Sequence, residues 1–246
     1  MIFLLPPSES KQSGGTIAPG KLSFAELAGV RAEIKSALIE VSKDPAAGAK
    51  ALKLGPKQLG ELEVNLSLSR PRAMPALERY TGVLYDALKL DGLSKQQLSR
   101  AKKCLFIQSS LFGLISALDE IPNYRLSAGS KLPGVNLRAV WGLAHESIWE
   151  RFRHEIVVDL RSKAYLQLAP IPDWVDSYEV EVLAENKSGV QKALNHFNKQ
   201  AKGTFARAAL SINPAPGKLL DLKKIAKLAG QKLEISGRTA LLITHA

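Results

Sequence analysis

The stretch IFLLPPSESKQSGG, residues 2–15, decides how the rest of the chain is read. Four apolar residues, Ile2 to Leu5, stop at two prolines, so the run is a buried strand, far too short for a signal peptide or a membrane span. Behind it comes a loop rich in Pro, Ser and Gly. A polar loop at the end of a buried strand is where open sheets bind ligands, which makes Ser8, Glu9 and Lys11 candidate site residues. The loop lacks the glycine spacing of a Walker sequence.

Outward from this strand the pattern alternates irregularly between helix and strand. Phe24, Leu27, Val30, Ile34, Leu38 and Val41 recur at helical intervals, predicting a helix over residues 23–42, with more helix around 46–54 and 56–67. SRPRAMP, residues 69–75, reads as an exposed crossing, and ALERYTGVLYDAL, residues 76–88, as one helix. Ser94 and Gln97 form a capping box for the next helix. CLFIQSSLFGLI, residues 104–115, predicts a buried strand carrying the inert thiol of Cys104. Further strands are expected at IVVDLRS, YEVEVL and VQKALNHF, the second with clean alternation. LDLKKIAKLAG reads as an amphipathic helix stopped by Gly230, and KLEISGRTALLIT as a hairpin. The expected architecture is a mixed α/β (α+β) fold, a single compact domain over residues 1–246 with a mixed sheet and flanking helices.

With 46% hydrophobic residues the 246-residue chain has ample material for a core. One cysteine excludes an internal disulfide, and the four histidines show no ligand spacing, so neither a metal nor another cofactor is expected. The chain reads as cytoplasmic. Its net charge of +11 is unevenly placed: residues 187–238 carry eleven Lys or Arg against two acids, +9 of the +11, and residues 186–220 contain no acid at all. Such a region suits a polyanion, whether nucleic acid, a nucleotide or an acidic partner, or is a solvated lysine-rich face.

Within it stands NHFNKQAKG, residues 195–203. If the strand VQKALNHF ends near Phe197, Asn198 caps a helix running from Lys199 to about Ile212. Phe197, Ala201, Phe205, Ala208 and Ala209 then share the core face, while His196, Lys199, Gly203 and Arg207 line another, on or near a cleft. Lys199 and Lys202 beside the free N–H groups of the first turn would favour a phosphate. Gly203 implies a close approach, by a ligand or by a second helix. In VVDLRSKAY, Asp159 and Arg161 fall on one strand face, with Ser162 and Tyr165 beyond, as a structural ion pair or an anion clamp. Tyr124 and Arg125 are a packed ring with an exposed cation, or an aromatic and cation pair for a base and its phosphate.

LLPPSESK, RYTGVLYDAL, SSLFGLISALD, PNYRLSAG, VVDLRSKAY and HFNKQAKG, in this order and spacing across essentially the whole chain, resemble the YaaA family of bacterial peroxide-stress proteins, in particular its shorter actinobacterial branch. The resemblance implies a positively charged cleft, sequence-nonspecific DNA binding and a role in protecting DNA during oxidative stress, including damage from free iron. It places the family's Ser and Lys on Ser8 and Lys11, its Tyr-Arg pair on Tyr124 and Arg125, and its Lys and basic-Gly pair on Lys199, Lys202 and Gly203. Phosphate contacts are thus expected from Lys11, Arg125, Arg161, Lys199, Lys202 and Arg207. The cleft lining is expected from Ser8, Glu9, Tyr80, Tyr85, Tyr124, Asp159, Ser162, Tyr165, His196, Asn198 and Gly203. Departures are Ser10 in place of the family's usual Gly, Ser110 in place of the Gly of the longer branch, and Ser116-Ala117 in place of that branch's Arg-Pro. DNA is the expected partner, with no membrane involved. The alternative is an enzyme acting on a nucleotide-like or phosphorylated small molecule in the same cleft, although no catalytic motif can be read from the residues.

Overall fold

The computed structural model describes residues 1–16, 18–185, 191–192 and 195–245. Its strands are β1 (Ile2–Leu5), β2 (Ala73–Pro75), β3 (Leu105–Ser109), β4 (Gly113–Ser116), β5 (Glu120–Pro122), β6 (Val157–Asp159), β7 (Ser177–Glu185), β8 (Gln191–Lys192), β9 (Lys232–Ser236) and β10 (Thr239–His245). The helices are α1 (Ala28–Ser42), α2 (Pro45–Leu52), α3 (Glu61–Leu66), α4 (Ala76–Arg79), α5 (Val83–Leu88), α6 (Lys95–Cys104), α7 (Leu137–Ala144), α8 (Glu146–Glu150), α9 (Lys163–Leu166), α10 (Asn195–Ser211) and α11 (Asp221–Leu228).

One mixed sheet runs in the order β4-β3-β1-β6-β7-β10-β9, with β8 pairing beside the end of β7. β3, β1, β6, β7 and β10 are parallel to their neighbours, while β4, β8 and β9 pair antiparallel. β2 and β5 form a separate antiparallel pair. β1 is buried along its whole length because it lies between two parallel strands: Phe3 stands opposite Leu105 on one side and Val158 on the other. Helices cover the sheet around one continuous apolar core.

Most expected elements form where their periodicity placed them, including the Ser94 capping box, α11 and the β9–β10 hairpin. Four differ. The first helix is 3-10 over Ala25–Leu27 and α-helical only from Ala28. The run at 104–115 is two strands, β3 and β4, folded on each other around Gly113. Gly113 has φ +63°, and a Cβ there would meet the Trp141 ring at 2.5 Å, so glycine is required for the turn to pack. Cys104 ends α6 and is half-buried rather than sealed in a strand; burial raises its thiol to about pKa 11. Residues 76–88 break at Gly82 (φ 97°) into α4 and α5.

The fourth difference lies at α10. It starts at Asn195, so Asn198 sits within the helix rather than capping it. Val190, Ala193 and Leu194 of the expected strand lie outside the described residues, as does the side chain of His196. Ala201, Phe205, Ala208 and Ala209 are buried as the helical wheel requires. Gly203 faces α5: a Cβ there would fall 2.1 Å from the Leu84 carbonyl oxygen. Its role is helix contact, not ligand approach. Gly203→Ala should therefore force α10 off α5 and destabilise the fold by about 1–3 kcal/mol or more, a loss read as a lower urea midpoint at unchanged slope.

Candidate functional site

Parallel strands have their carboxyl ends on one side, and β1 connects to β3 on its left while β6 connects to β7 on its right. Adjacent strands whose connections leave in opposite directions open a crevice beyond their ends. A cavity of about 930 Å³ lies there. Its floor is the loop after β1 (Pro6 to Ser10) and the segment after β6 (Leu160 to Tyr165); β7 supplies a wall through Glu179 to Leu183. The opposite walls come from Thr81 to Tyr85, Ser127 to Gly129, and Asn198, Lys199 and Lys202 of α10.

The segment after β6 is held by a buried ion pair. Arg161 Nη2 donates to Asp159 Oδ2 at 2.6 Å, Nε reaches both carboxylate oxygens, and Nη1 donates to the Ala169 carbonyl at 2.9 Å. The guanidinium lies over the Trp149 ring, and its side chain is fully buried. Of the two readings of Asp159 and Arg161, the structural ion pair describes the geometry, and Arg161 presents its backbone rather than its charge to the cavity. Lys202 is buried as well and donates to the Arg161 carbonyl at 3.3 Å. Burial lowers its pKa, against the pull of Asp159, Glu179 and Glu181. Lys199 is exposed at the cavity wall.

A second cavity of about 560 Å³ shares Glu9 and Ser10 with the first and is completed by Lys11, Lys57, Glu61, Asn123 and Arg125. Arg125 Nη2 donates to Glu9 Oε2 at 2.9 Å, and its backbone is clamped by Asn65, which accepts from Arg125 N at 2.7 Å. Lys11 Nζ lies 4.2 Å from the centroid of the Tyr124 ring. Behind it the Tyr124 hydroxyl joins those of Tyr80 and Ser109, each at 2.8 Å, and Tyr85 donates to the Pro6 carbonyl at 2.8 Å. Burial raises the pKa values of all three tyrosines and that of Tyr165, keeping the phenols protonated.

Most of the expected site residues therefore converge, on two cavities that share Glu9 and Ser10. Ser8, Glu9, Tyr85, Ser162, Tyr165, Asn198, Lys199 and Lys202 meet in the larger cavity, and Lys11 and Arg125 in the smaller. Tyr80 and Tyr124 lie behind the lining. Gly203 is occupied by α5, and Arg207 donates to the carbonyls of Lys89 and Gly92, away from both cavities. Three cations, Lys163, Lys199 and Lys202, line the larger cavity against three acids, Glu9, Glu179 and Glu181, the charge of Arg161 being taken up by its buried pair. The glutamates of β7 escaped the sequence reading although their alternation in YEVEVL had placed both on one face. Two family departures satisfy themselves internally: Ser110 Oγ donates to the Leu126 carbonyl and Ser116 Oγ to that of Lys102, each at 2.8 Å.

Among the described residues no helix is long and apolar enough to cross a membrane, and no group of three or more His, Cys, Asp or Glu is placed to hold a metal ion. The family model described as "Peroxide stress protein YaaA" matches residues 1–234. The chain is 40% identical over 245 residues to a UPF0246 protein of Corynebacterium efficiens, covering 96% of each. It is 35% identical over 244 residues to one of Streptomyces coelicolor, covering 95% of this chain and 92% of that protein. A UPF0246 protein of Shewanella woodyi is 29% identical over 226 residues, covering 85% and 86%.

Removing the carboxylate of the buried pair tests its role in shaping the site. Asp159→Ala should destabilise the fold by about 3–5 kcal/mol, since Arg161 would be left charged and buried. Urea unfolding followed by circular dichroism measures the loss.

Proposed function

This chain belongs to the family of the peroxide stress protein YaaA, and from that premise we propose that it binds DNA without sequence preference and protects it during peroxide stress. The observation that carries this reading is where the fold leaves its excess charge. Of the cations in residues 187–238, Lys218, Lys223, Lys224, Lys227, Lys232 and Arg238 are exposed, on α11, on β9 and in the segments beside them. α11 buries Leu222, Ile225 and Ala226 and turns its lysines outward. Lys224 is paired with Asp221 and Arg238 donates to the carbonyls of Asp173 and Val175, so Lys218, Lys223, Lys227 and Lys232 are the better candidates for phosphate contacts. Lys199, exposed at the start of α10, would extend the track toward the cavity. Each phosphate neutralised releases counterions, and the affinity so gained carries no sequence information.

A second reading is favoured by the lining of the larger cavity. Glutamates on β7 face lysines of α10 across a crevice at a sheet switch point, an arrangement that fits a small ligand carrying both a phosphate and hydroxyl donors, such as a nucleotide. A groove that only follows a phosphate backbone has no use for Glu179 and Glu181.

Fluorescence anisotropy with labelled duplex, bubble and single-stranded DNA over a salt series separates the readings. Lys223→Ala/Lys227→Ala is expected to weaken binding on all three substrates and to lower the salt slope by about one unit per lysine removed. Wild-type protein that fails to bind DNA even at low salt would overturn the first reading and leave the second.

A further inference from the structure

Lys11 differs from every other cation of the site in its surroundings. Its backbone is fixed by a bridge to Tyr80, and the next residue donates its N–H to the Arg79 carbonyl at 2.8 Å. Its Nζ lies above two buried phenol rings, 4.2 Å from the centroid of Tyr124 and 5.6 Å from that of Tyr80, and the hydrogen bond it makes, to the Glu9 carbonyl, is 3.4 Å long. The charged groups around it are Glu9 and Arg125, which pair with each other, Glu61 of α3, Arg79 of α4 and Lys57 on the cavity wall. Arg79 is itself buried and donates to the carbonyls of Gln12, Gly14, Arg72 and Ile121, which holds a fixed positive charge on the same loop. Burial, then the Arg125 charge, lower the Lys11 pKa to about 7, with Glu61 and Glu9 opposing. An ordinary lysine is almost wholly charged near neutral pH, whereas Lys11 gives up its proton more readily. A desolvated lysine beside another cation is the arrangement by which proteins make an amine nucleophilic.

We propose that Lys11 is the nucleophile of a carbonyl-binding site in the smaller cavity, and that its substrate is a phosphorylated sugar aldehyde whose phosphate is held by Lys57 and Arg125. The lone pair of Nζ attacks the aldehyde carbon; a C–N bond forms and the carbonyl oxygen takes up a proton, giving a carbinolamine. Loss of that oxygen as water leaves a protonated imine between Lys11 and the sugar. Glu9 and Glu61, on the wall of the same cavity, are the carboxylates available to carry the protons. The step needs no oxidant or reductant. The same chemistry has two sources, a free sugar phosphate and the ring-opened sugar of an abasic position in DNA; only the second rests on the DNA-binding reading.

Borohydride trapping tests the proposal, because it reduces an imine to a stable secondary amine. Full-length protein is incubated with deoxyribose 5-phosphate in one arm and with a duplex carrying one abasic site in the other, reduced, and mapped by peptide mass spectrometry. DNA binding is measured separately by anisotropy. The expected result is one adduct per chain, on Lys11, in at least one arm, with its formation half-maximal near pH 7. Lys11→Arg should lower the adduct at least tenfold while its circular dichroism is unchanged, and Lys43→Ala, at an exposed lysine outside both cavities, should leave it unchanged. An adduct in the first arm alone identifies a free metabolite as substrate, and in the second alone a DNA lesion. Absence of an adduct in both arms, or labelling scattered over surface lysines and unaffected by Lys11→Arg, overturns the proposal. Because the wild-type map locates the adduct directly, the result does not depend on a variant that folds. Loss of DNA binding with trapping intact in the first arm would overturn the DNA reading alone.

Discussion

Everything that forms the site depends on β1 being paired in parallel on both sides. A strand of four apolar residues has no polar face to offer water, so it is stable only in the middle of the sheet, with β3 and β6 supplying its hydrogen-bond partners. Parallel neighbours require crossover connections, and these leave β1 and β6 in opposite directions. The chain following each strand must therefore diverge, and the crevice between the two is a consequence of topology before any site residue is chosen. Pro6 and Pro7 reinforce this by ending the strand where the sheet can no longer pair with it.

A crevice made in this way is only as well defined as the segments that edge it. The turn after β6 carries its own clamp, in which Asp159 accepts the guanidinium of Arg161 as well as its backbone N–H at 3.0 Å. A buried pair of this kind contributes little net stability, because desolvation offsets most of its attraction, but its geometry is unforgiving. It directs Leu160 to Ser162 along the cavity floor. The turn after β1 is held differently, by Arg79, whose donors close on carbonyls from the loop and from the β2–β5 pair. Two buried arginines thus serve as fasteners for the two loops. Arg31 does similar work, donating to the carbonyls of Phe112, Ser23 and Leu114.

That use of arginine explains what the sequence could and could not reveal. Strands, amphipathic helices and caps are local, and the patterns around Ser94, α11 and the β9–β10 hairpin predict them where they stand. The core face of α10 is legible for the same reason. The start of that helix is not, because Asn195 and Asn198 are equally acceptable near a helix N-terminus and only tertiary contacts choose between them. The fold of residues 104–115 is likewise decided at a distance, by the Trp141 ring lying against Gly113. Charge is the most misleading property to count along a chain. Arg31, Arg79, Arg161 and Lys202 add to the formal +11 yet are buried, while Glu179 and Glu181 are brought to the cavity by β7.

Once the buried cations are set aside, the positive charge of this protein separates into two regions with different physics. The lysines of α11 and its surroundings are exposed, so their field is screened within about a Debye length and acts best on a ligand that can touch many of them at once. The charges of the cavities are opposed by glutamates, which makes them poorer collectors of polyanions and better selectors of one small shape. Lys11 belongs to the second kind. Its neighbours Arg79 and Arg125 make a further positive charge on its amine unfavourable, and the phenols beneath it offer a ring face in place of a carboxylate. A protein that needed only to attract phosphate would gain nothing from discharging a lysine at the mouth of its cleft. In the imine-forming site proposed above, that arrangement frees the lone pair of the amine for the aldehyde carbon.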